Sequence, residues 1–217
     1  MSTLTLRVAP YRFIHVQSKI RQSLHIVILA VLALFIPSAL RAQYFADEPM
    51  VQVFGRAGVS LNSVEDAGIR SDYRATIDLI GDTRTIFPGA LLVSVPFGLG
   101  SRGYKRYWSG SDNYLWARNV FLGLRPGIHL GYRYRLDVMA GIHVSYDLWG
   151  REYYNGKDFT LGNVNDYRRF DFGWNACASV VLNSFEIYFE YRKGLLTMFR
   201  EHNVRSAVFS FGIGWDF

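Results

Sequence analysis

The last twelve residues, SAVFSFGIGWDF (206–217), carry the pattern from which the fold can be worked out. Large apolar side chains stand at every second position: Phe209, Phe211, Ile213, Trp215 and Phe217. The residues between them are small or polar, and this period of two is typical of a β-strand with two unlike faces. Because the bulky face is mostly aromatic, the fold depends on whether that face packs inside the protein or lies on its outside.

The composition limits the chain to one domain or two small ones and favours broad sheets. Half of the 217 residues are hydrophobic, 16% are aromatic and 20 are glycine. The net charge of +6 does not indicate nucleic-acid binding, because several of the basic residues lie near the N-terminus. The single cysteine, Cys177, cannot form an intramolecular disulfide, and no Cys/His cluster has zinc spacing. The sequence therefore predicts neither a metal nor a cofactor.

The N-terminal segment has the layout of an export signal. An apolar run at 26–36 follows a basic segment and precedes small residues. A helix that spans a bilayer needs about 20 apolar residues, so this run is too short to cross one. The layout predicts a cleaved signal peptide over residues 1–42, with cleavage after Ala42 and Ala39 as the alternative cleavage site, and one exported domain over residues 43–217. A membrane anchor or a buried helix is the alternative.

Eight runs of alternating apolar and polar residues follow, separated by clusters of Gly, Asn, Asp and Ser. They lie at about 50–61, 71–80, 85–97, 119–132, 136–149, 169–182, 185–195 and 206–217. The third run is the least regular, because it is apolar on both faces and contains Pro88 and Pro96. The exported part of the chain is therefore predicted to be all-β.

The links between these runs alternate in length. Short links fall at 81–84, 133–135 and 183–184, and longer polar links fall at 62–70, 98–112, 150–166 and 198–203. Tight turns at one end and longer loops at the other are typical of bacterial outer-membrane barrels. We therefore predict an eight-stranded antiparallel up-and-down transmembrane β-barrel in the cell outer membrane, with both ends of the barrel sequence on the side of the short turns.

Charged side chains occur on the face opposite the aromatic one. In a barrel that spans lipid, the apolar face turns outward, the polar face turns into the lumen, and closure pairs every backbone group. A barrel of eight strands is just wide enough to be filled by side chains, and buried charges persist when they are paired. The predicted lumen network comprises Arg56, Arg125, Asp137, Asp171, Glu186, Glu190 and Arg192. A soluble lipocalin-like barrel is the alternative, and it would reverse the two faces.

The segment RFDFGWNACASVVLNSFEIYFEYRKGLL (169–196), with Arg205 and the closing aromatic strand, resembles the PorT-like outer-membrane β-barrel family of Gram-negative bacteria. The matching positions are Phe170, Asp171, Phe172, Gly173, Tyr191, Gly194, Leu195, Arg205, Gly214 and Phe217. Trp215 stands in place of the family's usual tyrosine, and Cys177 and Ser179 stand in place of glycines. The resemblance implies an outer-membrane barrel and, for some members, an accessory role in a protein-secretion apparatus.

Three hypotheses for the function follow. The leading one is an integral outer-membrane barrel with a structural role or with loops that bind a ligand or a surface partner protein. The second, implied by the resemblance, is a subunit of a secretion apparatus. The third is a lipid A modifying hydrolase, because His143-Val144-Ser145 is similar to the His-x-Ser of outer-membrane lipid A deacylases. The alternation directs His143 and Ser145 into the lumen, away from lipid, so we predict no catalytic site.

Two segments are candidate binding surfaces. SRGYKRYW (101–108) mixes cations with aromatic residues and is predicted to be a loop at the lipid headgroup boundary, where both residue types are favoured. Its candidate binding residues are Arg102, Lys105, Arg106, Tyr107 and Trp108. The link at 150–166 is a comparable candidate. The terminal strand resembles the signal that the outer-membrane barrel-assembly machinery reads, so that machinery, membrane lipid and lipopolysaccharide are the expected partners.

Overall fold

The computed structural model describes residues 49–65, 73–108, 111–131, 134–154, 156–161, 166–199 and 204–217. The predicted signal peptide and its cleavage site lie outside these residues. Over the described residues the strands are β1 Met50–Glu65, β2 Arg74–Ile86, β3 Leu91–Trp108, β4 Ser111–Leu130, β5 Tyr134–Tyr154, β6 Lys157–Thr160, β7 Phe170–Leu182, β8 Phe185–Gly194 and β9 Arg205–Asp216. Among the same residues, no helix is long and apolar enough to cross a membrane.

Eight of these strands close into a barrel. The strand order is β4-β3-β2-β1-β9-β8-β7-β5, and β4 also pairs with β5, which closes the ring. All of the pairings are antiparallel, and the first strand pairs with the last. β6 lies outside the ring, where it pairs with residues 151–154 at the end of β5. The prediction of a closed antiparallel barrel of eight strands is confirmed.

The two ends of the barrel differ. At one end, here called the turn end, the chain reverses at 87–90 and 183–184, β1 begins and β9 finishes. At the opposite end, here called the loop end, β3, β4 and β5 rise as long hairpins and the segments before β7 and before β9 fold back over the barrel mouth. The short turns and both ends of the barrel sequence therefore lie together, as the lengths of the links predict.

The predicted short link at 81–84 is wrong. These residues lie inside β2, and the turn that ends β2 falls at 87–90, where Gly89 and Ala90 have φ values of 85° and 80°. The sequence Gly-Asp-Thr-Arg has the composition of a turn. In the barrel, however, Asp82 and Arg84 are fully buried because both belong to ion pairs in the lumen. The predicted third run at 85–97 is accordingly divided between the end of β2, the turn and the start of β3.

The loops predicted at 98–112 and 150–166 are also largely wrong. β3 continues to Trp108 and β4 begins at Ser111, so the first segment is mostly strand. β5 continues to Tyr154 and returns through β6, with a register shift opposite Arg118 and Asn119. Polar composition suggested loops here, but the residues pair in register, 101–108 of β3 with 111–118 of β4 and 151–154 of β5 with 157–160 of β6.

The two faces of the barrel are inverted relative to a soluble protein. Along β7, residues at odd positions are buried and residues at even positions point outward. Ile77, Phe189 and Trp215 expose 63%, 64% and 56% of their surface, whereas the charged residues between such positions are buried. Exposed aromatic residues lie toward both ends of the outer face: Tyr146, Trp149, Phe170, Trp215 and Phe217. The lumen also contains an apolar cluster that includes Phe121 and Met139, but the outer face is apolar, whereas a lipocalin-like barrel would have a polar outer face, so that alternative is excluded.

Several inward-facing glycines allow strands to bend tightly. A Cβ atom added to Gly141 would overlap the carbonyl oxygen of Leu124 on β4, and one added to Gly173 would overlap the carbonyl oxygen of Lys193 on β8. A glycine inside a strand is expected at tight bends and close backbone approaches. These positions therefore set the curvature with which the ring closes.

Candidate functional site

The lumen is filled by a network of arginines and carboxylates. Among the described residues its buried members are six arginines and seven acids: Arg56, Arg84, Arg102, Arg125, Arg135, Arg192, Asp78, Asp82, Asp137, Asp147, Asp171, Glu186 and Glu190. All seven residues that the sequence predicts for the lumen network are in this set. Opposite charges nearly balance, which is the condition under which ions persist in an interior.

Arg84 lies at the centre of the cluster nearest the turn end. Its guanidinium contacts Asp82 at 3.0 Å, Asp137 at 2.5 Å and Glu186. Arg56 meets the same Glu186 through two hydrogen bonds of 2.7 Å and contacts Asp82 at 3.0 Å. Because residues from β1, β2, β5 and β8 share these bonds, the cluster ties opposite walls of the barrel together.

A second group of ion pairs lies farther up the lumen. Arg125 contacts Glu190 at 3.1 Å and Asp82 at 3.2 Å, so it links this group to the first cluster. Arg192 pairs with Asp78 and lies 3.6 Å from Glu190. The charged groups therefore form one connected network along the barrel axis.

Inward aromatic rings cover the faces of these guanidiniums. The centroid distances are 4.4 Å from Arg84 to Phe54, 4.8 Å from Arg56 to Tyr188 and 4.3 Å from Arg192 to Phe121. Cation–π contacts of this kind are strongest where water is excluded. The rings thus fill the space that the ion pairs leave and stabilise the same charges.

A third cluster closes the loop end. Arg102 donates to Asp147 at 2.7 Å and Asp171 at 2.9 Å, and its remaining nitrogen donates to the carbonyl of Arg168 at 2.6 Å. The hydroxyl of Tyr167 donates to the same Asp147. Arg102 therefore anchors the segment before β7 across the mouth.

Of the five candidate binding residues at 102–108, Arg102 lies in β3 and is buried, so it does not stand on a surface loop. Lys105 is half-buried on the same strand. The backbone of Arg106, Tyr107 and Trp108 belongs to β3, and their side chains lie outside the described part of the chain. Whether this segment binds a ligand stays a prediction.

An apolar cap covers this cluster from the outside. Leu161, Met198, Phe199 and Val204 pack on the inward residue Leu115, and all five are buried. The cap is held by backbone hydrogen bonds from Met198 to Val204 and from Arg168 to Met198, at 2.7 and 2.8 Å. An internal cavity bounded by Arg102, His143 and Arg192 measures about 10 Å³, which is room for one water molecule at most.

His143 and Ser145 both lie in the lumen and are buried, as the alternation predicts. Ser145 pairs in register with Asp171, but the cap and the barrel wall separate these side chains from the outer surface. Among the described residues, no group of three or more His, Cys, Asp or Glu is placed to hold a metal ion. Cys177 is buried and free.

Reasoning from sequence missed several members of the network, and Arg84 is the most important. Asp78 lies on the polar face of the predicted run at 71–80, and the same parity includes Asp82 and Arg84, although the apolar Ile80 lies between them. Extending the strand by four residues would therefore have placed both side chains in the lumen. The turn-like composition at 81–84 ended the predicted strand too early. Arg102 was missed because it was assigned to the predicted loop at 98–112, whereas Asp147 lies on the inward face of the predicted run at 136–149 and was not included in the network.

The terminal strand closes the barrel between β1 and β8. Its aromatic face lies on the outside, with Phe209, Phe211, Ile213, Trp215 and Phe217 all exposed. The Phe217 amide donates to the carbonyl of Val53 at 3.0 Å, and its ring lies over Gly55, where an added Cβ would be 2.8 Å from it. The last residue is therefore part of the barrel wall.

No family model matches the chain and no curated protein matches it, so the resemblance to the PorT-like family stays a prediction. Solved structures with a similar fold include Ail, the attachment invasion locus protein of Yersinia pestis, at 15% identity and a TM-score of 0.46, covering 79% of this chain and 100% of Ail. Neisserial surface protein A is similar at 14% identity and a TM-score of 0.45, covering 76% and 97%. The N-terminal β-barrel domain of Pseudomonas aeruginosa OprF is similar at 11% identity and a TM-score of 0.42, covering 77% and 97%. Identities this low carry no ligand, partner or activity over to this chain.

Proposed function

We propose that this protein is an integral outer-membrane β-barrel with a structural or binding role, and that its lumen does not conduct ions. The observation that carries the proposal is the inversion of faces: exposed aromatic and aliphatic side chains surround a ring of strands whose interior holds buried ions. In water such a surface would aggregate. In hydrocarbon an apolar surface is the expected outer face of a barrel. Closure of the ring removes the strand edges, whose backbone N–H and C=O groups would find no hydrogen-bond partner in lipid.

The filled interior supports a structural or binding role over transport. The arginines of the lumen pair with carboxylates on several strands, and an apolar cap covers the mouth. Moving such groups aside would separate buried charges, which costs several kcal/mol. Catalysis on membrane lipid is disfavoured because His143 and Ser145 face this interior. The exposed loop end is therefore where a partner would bind.

The barrel and its closed lumen can be tested on one preparation. Protein extracted from membranes is expected to migrate differently in detergent gels before and after boiling, because a closed ring of hydrogen-bonded strands resists detergent. The same protein in a planar bilayer is expected to show no conductance steps above the leak of the bare bilayer. Equal migration with full solubility in the absence of detergent would overturn the proposal, and stable conductance steps would overturn the closed lumen.

We further propose that the barrel-assembly machinery is a partner through the terminal strand. Phe217→Ser is expected to lower strongly the amount of protein inserted in cells, while the stability of protein refolded into micelles changes little, because Phe217 is 88% exposed. Phe87→Ser, which removes another exposed aromatic residue at the turn end, is the matched control and is expected to insert normally. Equal insertion of the two variants, measured by immunoblot of outer-membrane fractions, would contradict this partnership.

A further inference from the structure

The barrel wall contains a seam between β2 and β3. The ladder of paired residues that joins β2 to β3 ends, toward the loop end, at the pair Leu79 and Leu99. Toward the loop end, β2 continues to Arg74 on its pairing with β1, and β3 continues to Trp108 on its pairing with β4. Within the described residues, the facing edges at 74–78 and 100–104 therefore lack the ladder that joins the strands below them.

Side chains bridge the seam in place of backbone bonds. The Asn62 amide donates to Thr76 Oγ1 at 2.8 Å and to Ser101 Oγ at 3.2 Å, and the two hydroxyls contact each other. From the outside, Arg118 reaches across β3 and donates to the carbonyl of Ile77 at 2.6 Å. Arg118 can do so because its partner in register on β3 is the small residue Ser101.

A second guanidinium lies beside Arg118. Arg74 is positioned over the rings of Tyr114 and Trp116, at centroid distances of 5.3 and 5.6 Å. Trp116 and Arg118 lie two residues apart on the same face of β4, so the Arg74 guanidinium over Trp116 is a neighbour of Arg118 and their like charges repel. The lumen arginines each meet a carboxylate, whereas no ion pair to either of these two is found among the described residues. Arg74 starts from the inward face of β2, but its guanidinium lies over the outward-facing rings of Tyr114 and Trp116, so the side chain crosses the seam to the outer face of β4. Within the described part of the chain, Arg74 and Arg118 therefore form a pair of cations without a carboxylate partner.

The chemistry of the patch fits a phosphate group. A guanidinium presents five donors in a planar fork that matches phosphate oxygens, and Arg118 uses one of them at Ile77. Cation–π contacts with Tyr114 and Trp116 position the Arg74 guanidinium. A phosphate between the two arginines would relieve their mutual repulsion and add charge-assisted hydrogen bonds.

The surroundings point to a lipid as the source of that phosphate. Directly below the seam, the outward residues Leu79, Leu99 and Val120 lie side by side across three strands and are 56%, 44% and 39% exposed. If the protein spans a membrane as proposed, this apolar row lies against acyl chains while the arginines lie at headgroup level. A lipid could then place its phosphate on the cations and its chains on the leucines.

We propose that the β2–β3 seam is a binding site for the phosphate-bearing headgroup of a membrane lipid, with Arg74 and Arg118 as the anion ligands. This inference rests on the proposed function as a membrane barrel. The site lies on the outer wall, separate from the lumen network, and involves none of the residues at 105–108.

The test measures lipid binding to the detergent-extracted protein by native mass spectrometry. Dioleoyl phosphatidic acid is the probe, and dioleoylglycerol, which has the same chains and no phosphate, is the reference lipid. The wild-type protein is expected to prefer the phosphate lipid by about tenfold or more, since hydrogen bonds to charged groups are among the stronger ones. Arg74→Gln is expected to remove most of that preference, and the double variant Arg74→Gln with Arg118→Gln is expected to remove all of it.

Arg151→Gln is the matched control, because Arg151 is an exposed arginine of the same hairpin region that already pairs with Asp158. This control is expected to bind like the wild type. A wild type without preference, or a double variant that keeps it, would overturn the inference. Full displacement of the lipid by an equal concentration of inorganic phosphate would overturn the lipid as the source. Gel migration before and after boiling is recorded for each sample to show that the barrel is folded. If the barrel is folded and shows no lipid preference, only this inference fails and the proposed function stands.

Discussion

Arg84→Met is expected to lower the free energy of unfolding by about 3–5 kcal/mol, the range measured when one partner of a buried ion pair is removed. Arg84 is fully buried and its guanidinium is shared by Asp82, Asp137 and Glu186. Methionine has a similar volume and packs well against the neighbouring Phe54 ring. The loss of stability therefore measures the removal of the charge and not the creation of a cavity. Urea unfolding in detergent micelles, followed by tryptophan fluorescence, measures the change.

Arg151→Met is the control for this substitution. Arg151 contacts Asp158 at 3.1 Å, but the two side chains are 61% and 46% exposed, so the expected loss is below about 1 kcal/mol. Arg84→Lys keeps the charge and loses the planar fork, and is expected to fall between the two. Equal losses for Arg84→Met and Arg151→Met would show that the lumen ions do not stabilise the barrel.

Gly141→Ala is expected to destabilise the folded barrel by about 3 kcal/mol, at the upper end of the cost of overpacking. The added methyl group would overlap the carbonyl oxygen of Leu124 and lie 2.9 Å from the Arg125 Cα. Both atoms belong to the backbone of β4, which pairs with β5 to close the ring. Because backbone cannot move aside as a flexible side chain can, the closing ladder must distort. The same unfolding measurement applies.

Gly55→Ala provides a matched change at an open position. Its methyl group would meet only the edge of the Phe217 ring, at 2.8 Å, and that terminal ring can swing away. The expected loss is below about 1 kcal/mol, as for other substitutions away from the packed interior. If Gly141→Ala were no more harmful than Gly55→Ala, close backbone approach would not be the reason for the inward glycines.

The strands that the sequence predicted best are those with strict alternation. β7 and β8 match the predicted runs at 169–182 and 185–195 to within one residue at each end, and their inward residues Asp171 and Glu190 lie in the lumen. All outward positions of β7 carry apolar side chains, and in β8 only Lys193, beside its loop-end terminus, does not. Local pattern and tertiary environment therefore agree, and the pattern is sufficient.

The predictions failed where local composition and tertiary environment disagree. The segment at 81–84 has the composition of a turn but is strand, because partners on β1, β4 and β8 neutralise Asp82 and Arg84. At the loop end, polar hairpins lack the alternation that lipid imposes, so their strands were read as loops. The first error arose because the ion-pair partners of Asp82 and Arg84 lie far away along the chain, and the second because polar composition was taken to indicate a loop although the hairpin strands pair with near neighbours in sequence.

The alternation along the chain was enough to predict a closed ring of strands with its apolar face outward, because a period of two with charges on one face and aromatic residues on the other fits a barrel in hydrocarbon. Three features became visible only in the three-dimensional structure: which arginine pairs with which carboxylate, where β2 and β3 separate, and that the guanidiniums of Arg74 and Arg118 are neighbours. These features depend on the register between strands and on the lengths of side chains that cross the lumen or the wall. Neither quantity is contained in the alternation of any single strand.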